Sequence, residues 1–437
     1  MNLVHRAGRT PAERQPDPSL PHRPEAGRPA EGGSSRTFRT RRAWPLATAL
    51  VALSLVASAC GGDGQGSQAA QGDRCVKEFD ASKDYFPVKQ TIRHATNFTL
   101  TYAKNYQVVT VKQPAPGAKP QTYVLVRCGT PAPKAEGELK DAVVVETPVR
   151  TLFASSTTHL PFITDLGVLD RLKGVASAGL ITSPQVRERV AAKQIIEYAD
   201  ITGQEIDTEK VIGARPDVLM TDGNDVPAHQ TLRNAGIKIV ANAEWQETSA
   251  LGRAEWIKFV AALTGTEAKA TEVFDKVAAA YQELAAKAKQ AEPVSVLPGQ
   301  MFQGQWAIPN GESFMAKLIA DAGGTYAWAD TKGTGSTNLD LETVLSKARD
   351  AEVWLPQMND WKSLEDVRKA DPRYAEFAAF KSGKVWSMNK VLGPGGGNDF
   401  YERGVGRPDL ILADLVAILH PELMPGHTFT FYQQLAR

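Results

Sequence analysis

Apolar positions along the chain follow two periods, and the change from one to the other divides it. Between Asn97 and Cys128 the period is two: Asn97–Tyr102 and Gln107–Val111 flank a polar turn at Lys104-Asn105, which predicts a β-hairpin, and Tyr123–Val126 predicts a third strand. Pro131, Pro133 and a charged run then read as a linker. From about Val143 short apolar strands alternate with helical segments, the pattern of a parallel sheet with crossover helices. The first series contains the predicted strands Thr151–Ala154, Asp217–Met220 and Lys238–Val240. A second series, after Pro293, contains Glu352–Leu355 and Lys384–Ser387. A helix carrying Leu160, Ile163, Leu166 and Leu169 is expected to stop at Gly174.

Between the two series lies one long amphipathic stretch, Thr266–Lys289. Ala270, Val273, Phe274, Val277, Ala278, Tyr281, Leu284, Ala285 and Ala288 share a face by three- and four-residue spacing. Its residues rise over roughly 36 Å at 1.5 Å each, the width of a small domain. Such a helix either bridges two lobes and restrains their hinging or lies on the surface of one. A faint repeat favours two similar units: Glu209 to Leu219 echoes Glu342 to Trp354, each a Glu on a short helix followed by an apolar strand. The expected fold is α/β, with two Rossmann-like lobes joined by a single long interlobe helix and an N-terminal β-hairpin extension. The expected divisions are a β-rich extension over 75–140, a first lobe over 141–265, the helix over 266–290 and a second lobe over 291–437.

The N-terminus follows other rules. Residues 1–40 are rich in Pro, Arg and Gly with no apolar period, so they cannot bury a core. Arg39, Arg41 and Arg42 precede an apolar run from Trp44 to Val56, which suits a signal sequence and is too short to span a bilayer. The run closes with Val56-Ala57-Ser58-Ala59-Cys60, which resembles a bacterial lipoprotein signal whose cleavage would leave Cys60 as an acylated N-terminus; the alternative is an ordinary secretory cleavage site with an incidental Cys. The Arg41-Arg42 pair leaves general secretion and twin-arginine export both open. Residues 1–59 thus read as a signal peptide, and residues 60–74, rich in Gly, Ser and Gln, as a flexible tether.

Charge and cysteine usage narrow the class. Residues 1–59 hold nine Arg and four Asp/Glu, leaving the remainder with 41 basic and 45 acidic groups, so the working part is slightly acidic. A nucleic-acid partner is therefore not expected, since such binders carry a basic excess. With Cys60 acylated, Cys75 and Cys128 remain, and outside the cytoplasm such a pair reads as a disulfide, the alternative being two buried thiols.

Several segments, taken in order, resemble one family. Ser155–Phe162 with Leu166–Leu169 looks like its first strand-to-helix turn, and Glu209–Leu219 like its first-lobe signature. Glu247–Ile257 is similar to the approach to its connecting helix, and Arg407–Leu415 with His420–Leu423 to its closing segment. The family is the class III periplasmic-binding group, the ABC-transporter substrate-binding proteins that capture iron–siderophore complexes, haem or cobalamin; the likeness covers residues 141–437. It implies a ligand held between two lobes, small hinge motion, and docking onto an ABC permease with a cytoplasmic ATPase. One exposed Glu per lobe then meets arginines of the permease, and Glu209 and Glu342 occupy those positions; the alternative is a first-turn Glu favoured by its helix dipole. The implied protein is a monomeric capture lipoprotein on the outer face of the cell membrane, not an enzyme, with no resident cofactor or metal, and its ligand is a metal chelate of the ferric-siderophore kind.

The ligand is expected beyond the C-terminal ends of the strands. There the hydroxyl cluster Ser155, Ser156, Thr157 and Thr158, with His159, either holds an anionic or carbonyl-rich ligand or simply caps a helix. Thr221–Asp225 follows another strand and is placed to line the same rim. Trp245, Trp306, Trp328, Trp361 and Tyr401 lie near loops or strand ends and either face the cleft or pack inside. Arg403 and Arg407 are candidates to neutralise an anionic complex, and the glycine run Leu392–Asp399 to form a mobile cleft edge or plain turn. Two rivals remain: a zinc- or manganese-binding transport lipoprotein, which would need the scattered His94, His159, His229, His420 and His427 to converge, and a secreted hydrolase, for which Gly-x-Ser-x-Gly and His-Glu-x-x-His are absent.

Overall fold

In the computed structural model, which describes residues 74–200 and 205–437, the chain first forms β1 (Phe98–Tyr102), β2 (Tyr106–Val111), β3 (Gln121–Arg127) and β4 (Val143–Thr147). The signal segment, Cys60 and the tether up to residue 73 lie outside the described residues. β1 to β3 run antiparallel and β4 adds to β3 in parallel. The expected hairpin extension is therefore a four-stranded sheet, whose last strand comes from beyond residue 140. Alternation sets its buried face: Phe98, Val109, Val111, Tyr123 and Leu125 point inward, and the Phe98 and Tyr123 rings meet Phe259. Cys75 and Cys128 form the expected disulfide at the end of β3. Two buried carboxylates hold the chain leading into β1: Glu255 accepts the Arg93, His94 and Ala95 N–H groups, and Glu247 those of Thr96 and Asn97.

The first lobe runs β5 (Leu152–Ala154), α1 (Leu160–Asp165), β6 (Leu172–Val175), α2 (Pro184–Ala191), β7 (Ile196–Glu197), α3 (Thr208–Ala214), β8 (Val218–Thr221), α4 (Pro227–Asn234) and β9 (Ile239–Ala241). Its strands are parallel, in the order β7-β6-β5-β8-β9. The helix expected to reach Gly174 ends at Asp165 instead. Gly167 takes φ +73°, a left-handed stop, and Leu166 and Leu169 are buried without continuing the helix. Gly174 lies within β6, where a Cβ would come within 2.5 Å of the Phe153 ring.

Helices α5 (Ala250–Ala254) and α6 (Ile257–Thr264) lead, through Gly265 at φ +70°, into the predicted long helix α7 (Glu267–Ala288). Ala270, Phe274, Val277, Ala278, Tyr281 and Ala288 of its predicted face are buried, with Val273, Leu284 and Ala285 packed alongside. At its N-terminus Glu267 accepts a bond from Gln107 of β2, and farther along Tyr281 donates to Asp321 in the second lobe.

That lobe contains β10 (Val294–Pro298), β11 (Met301–Phe302), β12 (Gln305–Pro309), α8 (Phe314–Asp321), β13 (Gly324–Thr325), β14 (Ser336–Leu339), α9 (Leu341–Ala348) and β15 (Val353–Leu355). It continues with α10 (Leu364–Ala370), α11 (Ala378–Ser382), β16 (Trp386–Ser387), α12 (Arg403–Gly406), α13 (Pro408–Leu419) and β17 (Gln433–Gln434). A parallel sheet ordered β13-β10-β15 forms its centre, β11, β12 and β14 make a separate antiparallel sheet, and α13 returns to pack on α7. The fold is thus α/β with separate parallel sheets on either side of one long helix.

Candidate ligand-binding site

Successive crossovers from β5 go to opposite sides of the first-lobe sheet: β6 and β7 lie on one side, β8 and β9 on the other. The divergence opens a crevice at the C-terminal ends of β5 and β8, where open α/β sheets bind their ligands. A cavity of about 230 Å³ lies there. Its walls come from the ends of three strands: Ser155, Ser156 and Thr157 after β5, Ala176, Ser177 and Ile181 after β6, and Asp222 after β8.

Each wall has a local cause. Ser156 caps the turn into α1, its hydroxyl accepting from the Thr158 N–H and bonding the Thr158 hydroxyl at 2.8 Å. Ser155 and Thr157 need no such role and face the cavity. Ser177 is buried beside the cavity, and its hydroxyl has no protein partner. Asp222 accepts bonds from the Asn224 N–H at 3.0 Å and the Asn224 amide at 2.8 Å, an Asx turn that presents the carboxylate at the rim. The Trp245 indole donates to the Asp222 carbonyl at 2.8 Å, which puts one of the expected aromatics beside the cavity.

Two expected residues drop behind this surface. His159 is a core residue, 1 % exposed, with Nε2 against the Asn242 carbonyl at 3.3 Å. Burial pushes its imidazole down to about 4, so at neutral pH it is uncharged. Thr158 bonds its hydroxyl to that of Ser156, and behind it the buried Glu244 has its carboxyl pushed up by burial, against the lowering effect of the Arg253 charge and the Thr158 hydroxyl. Arg253 Nε lies 3.5 Å from Glu244 but too poorly aligned to bond, and its guanidinium sits over the Phe314 ring of the second lobe.

The glycine run lies at the seam between the lobes. The Gly395 N–H donates to the Gly179 carbonyl at 2.7 Å, and a Cβ on Gly397 would stand 1.8 Å from the Leu180 carbonyl, so only glycine fits. Beside it Glu402 accepts the Thr182 and Ser183 N–H groups, and Asp399 accepts the Thr182 hydroxyl. Of the two readings of this run, a mobile cleft edge or a plain turn, its packed contacts and the Gly396 N–H bond to the Gly393 carbonyl support the turn. The cavity is lined by first-lobe residues, and the second lobe closes on its wall at residues 179–183.

Packing overturns three aromatic candidates. Trp306, Trp328 and Trp361 are buried; Trp306 stacks on Trp354 and meets Tyr374 and Phe377 edge-on, Trp361 meets Trp354 and Tyr374 edge-on, and Trp328 lies under Lys347. Large rings at strand ends fill the second lobe because its sheet is short and needs bulk. Arg403 and Arg407 are also committed within the chain, to Asp399 at 2.6 Å and to Asp409 at 2.7 Å. Tyr401 keeps 42 % of its surface open. Phe302, not singled out in the sequence, is 66 % exposed, on a hairpin turned by Gln303 and Gly304 at positive φ just beyond the end of β10. Its signal was there: an apolar residue before a Gln-Gly turn.

Glu209 and Glu342 have matching settings. Each is exposed and follows an Asp that caps its helix, Asp207 for α3 and Asp340 for α9, and each helix leads into a strand of its lobe's parallel sheet. Glu342 lies 3.4 Å from Arg373, in an ion pair open to solvent.

A doubly wound sheet with a hydroxyl-lined crevice at its strand divergence, tied by one helix to a second α/β half, defines a two-lobed binding protein. The chain belongs to the periplasmic binding protein family, which it matches over residues 165–392. It is similar to two uncharacterized lipoproteins of Methanocaldococcus jannaschii. One is 28 % identical over 328 residues, 71 % of this chain and 75 % of the relative. The other is 25 % identical over 320 residues, 70 % of this chain and 77 % of the relative. In fold it resembles a possible iron-binding, periplasmic solute-binding protein from Staphylococcus epidermidis (TM-score 0.51, 16 % identity, 63 % of this chain and 100 % of that one). It also resembles a periplasmic heme-binding protein from Pseudomonas aeruginosa (TM-score 0.50, 17 % identity, 66 % of this chain and 99 % of that one).

Proposed function

We propose that the protein is the extracytoplasmic solute-binding component of an ABC importer, anchored through acylated Cys60 to the outer face of the cell membrane. It captures a metal chelate of the ferric-siderophore kind and hands it to a permease driven by a cytoplasmic ATPase. The observation that carries this reading is the cavity at the strand divergence, with free hydroxyls, an unpartnered buried Ser177 and a carboxylate at its rim. Family membership supports capture and delivery, and the lipoprotein relatives support the anchor. The iron- and haem-binding descriptions of the fold neighbours support a chelate as cargo.

Size bears on the mode of binding. At about 230 Å³ the cavity is smaller than the ~300–1,000 Å³ that a drug-sized ligand fills. A chelate seated there extends past the rim toward the second lobe, where Tyr401 and Phe302 are exposed. Delivery then requires the seam at Gly395 and Gly397 to loosen. Glu209 and Glu342, one per lobe, would orient the protein on the permease more than they hold it there.

A bare-metal carrier is the second reading. Among the described residues, the one grouping of three donor side chains within 4.8 Å is Cys75, Cys128 and Glu146, and both sulfurs are committed to the disulfide. The deciding experiment is a titration of intrinsic tryptophan emission, to which Trp245 beside the cavity contributes, with ferric siderophores, haem, cobalamin and free zinc or manganese. Saturable quenching by a chelate supports the proposal; a response to free metal ions alone sinks it.

A further inference from the structure

The cavity and its surroundings carry an unbalanced charge. Asp222 is the one charged residue among those lining it. Three more carboxylates bond the segments that form its walls, and a fourth, the buried Glu244, lies near Thr158. Glu197 accepts the Ala178 N–H at 2.7 Å, Glu402 accepts the Thr182 and Ser183 N–H groups, and Asp399 accepts the Thr182 hydroxyl. Among the described residues, two guanidinium groups answer them: Arg403 is bound to Asp399 and Arg253 stands against Glu244. Asp222, Glu197 and Glu402 form no ion pair among the described residues, and His159 behind the wall is neutral. Arg407, the other candidate cation, is held by Asp409 through both its Nε and Nη2. Among the described residues, no cationic side chain lines this cavity.

We propose that the cavity selects metal complexes that present positive charge or hydrogen-bond donors, such as cationic or neutral hydroxamate chelates, and discriminates against polyanionic ones. The proposal rests on the reading of the protein as a chelate carrier and adds the sign of the charge. Asp222 is its specificity-determining residue: its carboxylate meets the donor-bearing arm of the ligand, while the Ser155 and Thr157 hydroxyls accept or donate as the rest of the complex requires. A complex bearing several negative charges would be repelled by Asp222 and, more weakly, by Glu197 and Glu402 behind the wall.

The test uses the full mature protein and three probes: a cationic ferric trihydroxamate, a neutral ferric trihydroxamate and a polyanionic ferric tricatecholate. Affinities come from tryptophan quenching at low and high salt. The cationic complex should bind about tenfold more tightly than the polyanion, and salt should narrow the gap by screening. Asp222→Asn should reduce the preference to about threefold or less, weakening the cationic complex more than the neutral one. The wild-type ranking and its salt dependence do not depend on how well the variant folds. A polyanion that binds as tightly as the cation overturns the proposal and leaves the carrier reading standing; failure of all three probes, with haem and cobalamin also silent, overturns both. An Asp222→Asn protein that folds and keeps the full wild-type ranking also overturns it.

Discussion

Replacing Glu255 by Gln tests how firmly the extension is joined to the first lobe. Glu255 is fully buried and Lys258, its partner at 2.6 Å, is 1 % exposed. The carboxylate also accepts backbone N–H groups of Arg93 at 3.0 Å, His94 at 2.6 Å and Ala95 at 2.8 Å. The Lys258 ammonium donates to the Thr91 carbonyl and lies over the Phe274 ring, so it cannot swing out to water without losing both. Removing one member of a buried pair costs about 3–5 kcal/mol, because the other charge stays buried alone. Gln keeps the shape and one acceptor, which puts the expected loss near the lower end, about 3 kcal/mol. Guanidinium unfolding of the wild type, Glu255→Gln, Lys258→Met and the double variant would show it, with the double variant more stable than the sum of the single losses. Burial pushes the Glu255 carboxyl up, but Lys258 and the Ala95 and His94 N–H groups outweigh it and hold it below the usual range. The stabilisation is therefore complete above the unfolded value of about 4.3 and is lost as pH falls through the lower folded value, so the gap between wild type and Glu255→Gln should close in acid. A loss under about 1 kcal/mol at pH 7, or strict additivity in the cycle, would refute the reasoning.

Three further outcomes are expected. Reducing the Cys75–Cys128 bond, or replacing both cysteines by Ser, should cost about 4 kcal/mol in the chain-entropy model for a sequence separation of 53 residues; calorimetry with and without reductant measures it, and an unchanged Tm contradicts it. Glu209→Ala with Glu342→Ala should abolish ligand uptake by cells while leaving affinity in solution unchanged, and loss of both would count against a docking role. His159 is neutral in the fold and its pKa is lowered to about 4, so stability is complete above about 6.5 and falls toward pH 4 by about 3 kcal/mol. A His159→Gln protein should have a flatter stability profile over that range, and an equally steep one would show that the histidine is not responsible.

Much of the architecture could be read without coordinates because it is written in local periods. The alternation at Phe98, Val109 and Val111 gave strands, and the three- and four-residue spacing from Ala270 to Ala288 gave the long helix, since each pattern needs only the geometry of its own element. The matching settings of Glu209 and Glu342 were visible for the same reason: a capping Asp, a Glu and a following apolar strand are neighbours in sequence. The same logic misled where a period outlasted its element, as at Leu169, which is buried beyond the end of α1.

The amino-acid sequence by itself determined the elements, the alternation that buries one face of each, and the hydroxyl cluster after the first strand. Tertiary structure alone decided what those elements build. Ser155, Ser177 and Asp222 meet because the strand order β7-β6-β5-β8-β9 brings three distant strand ends together, and a strand order is a set of long-range pairings that no local window contains. Trp245 and Trp306 look alike in sequence, yet one bonds to the Asp222 carbonyl and the other fills the core of the second lobe. Arg403 and Arg407 were equally ambiguous until Asp399 and Asp409 were seen to hold them. A side chain's chemistry belongs to its residue type; its task depends on which partners folding brings within a few ångströms.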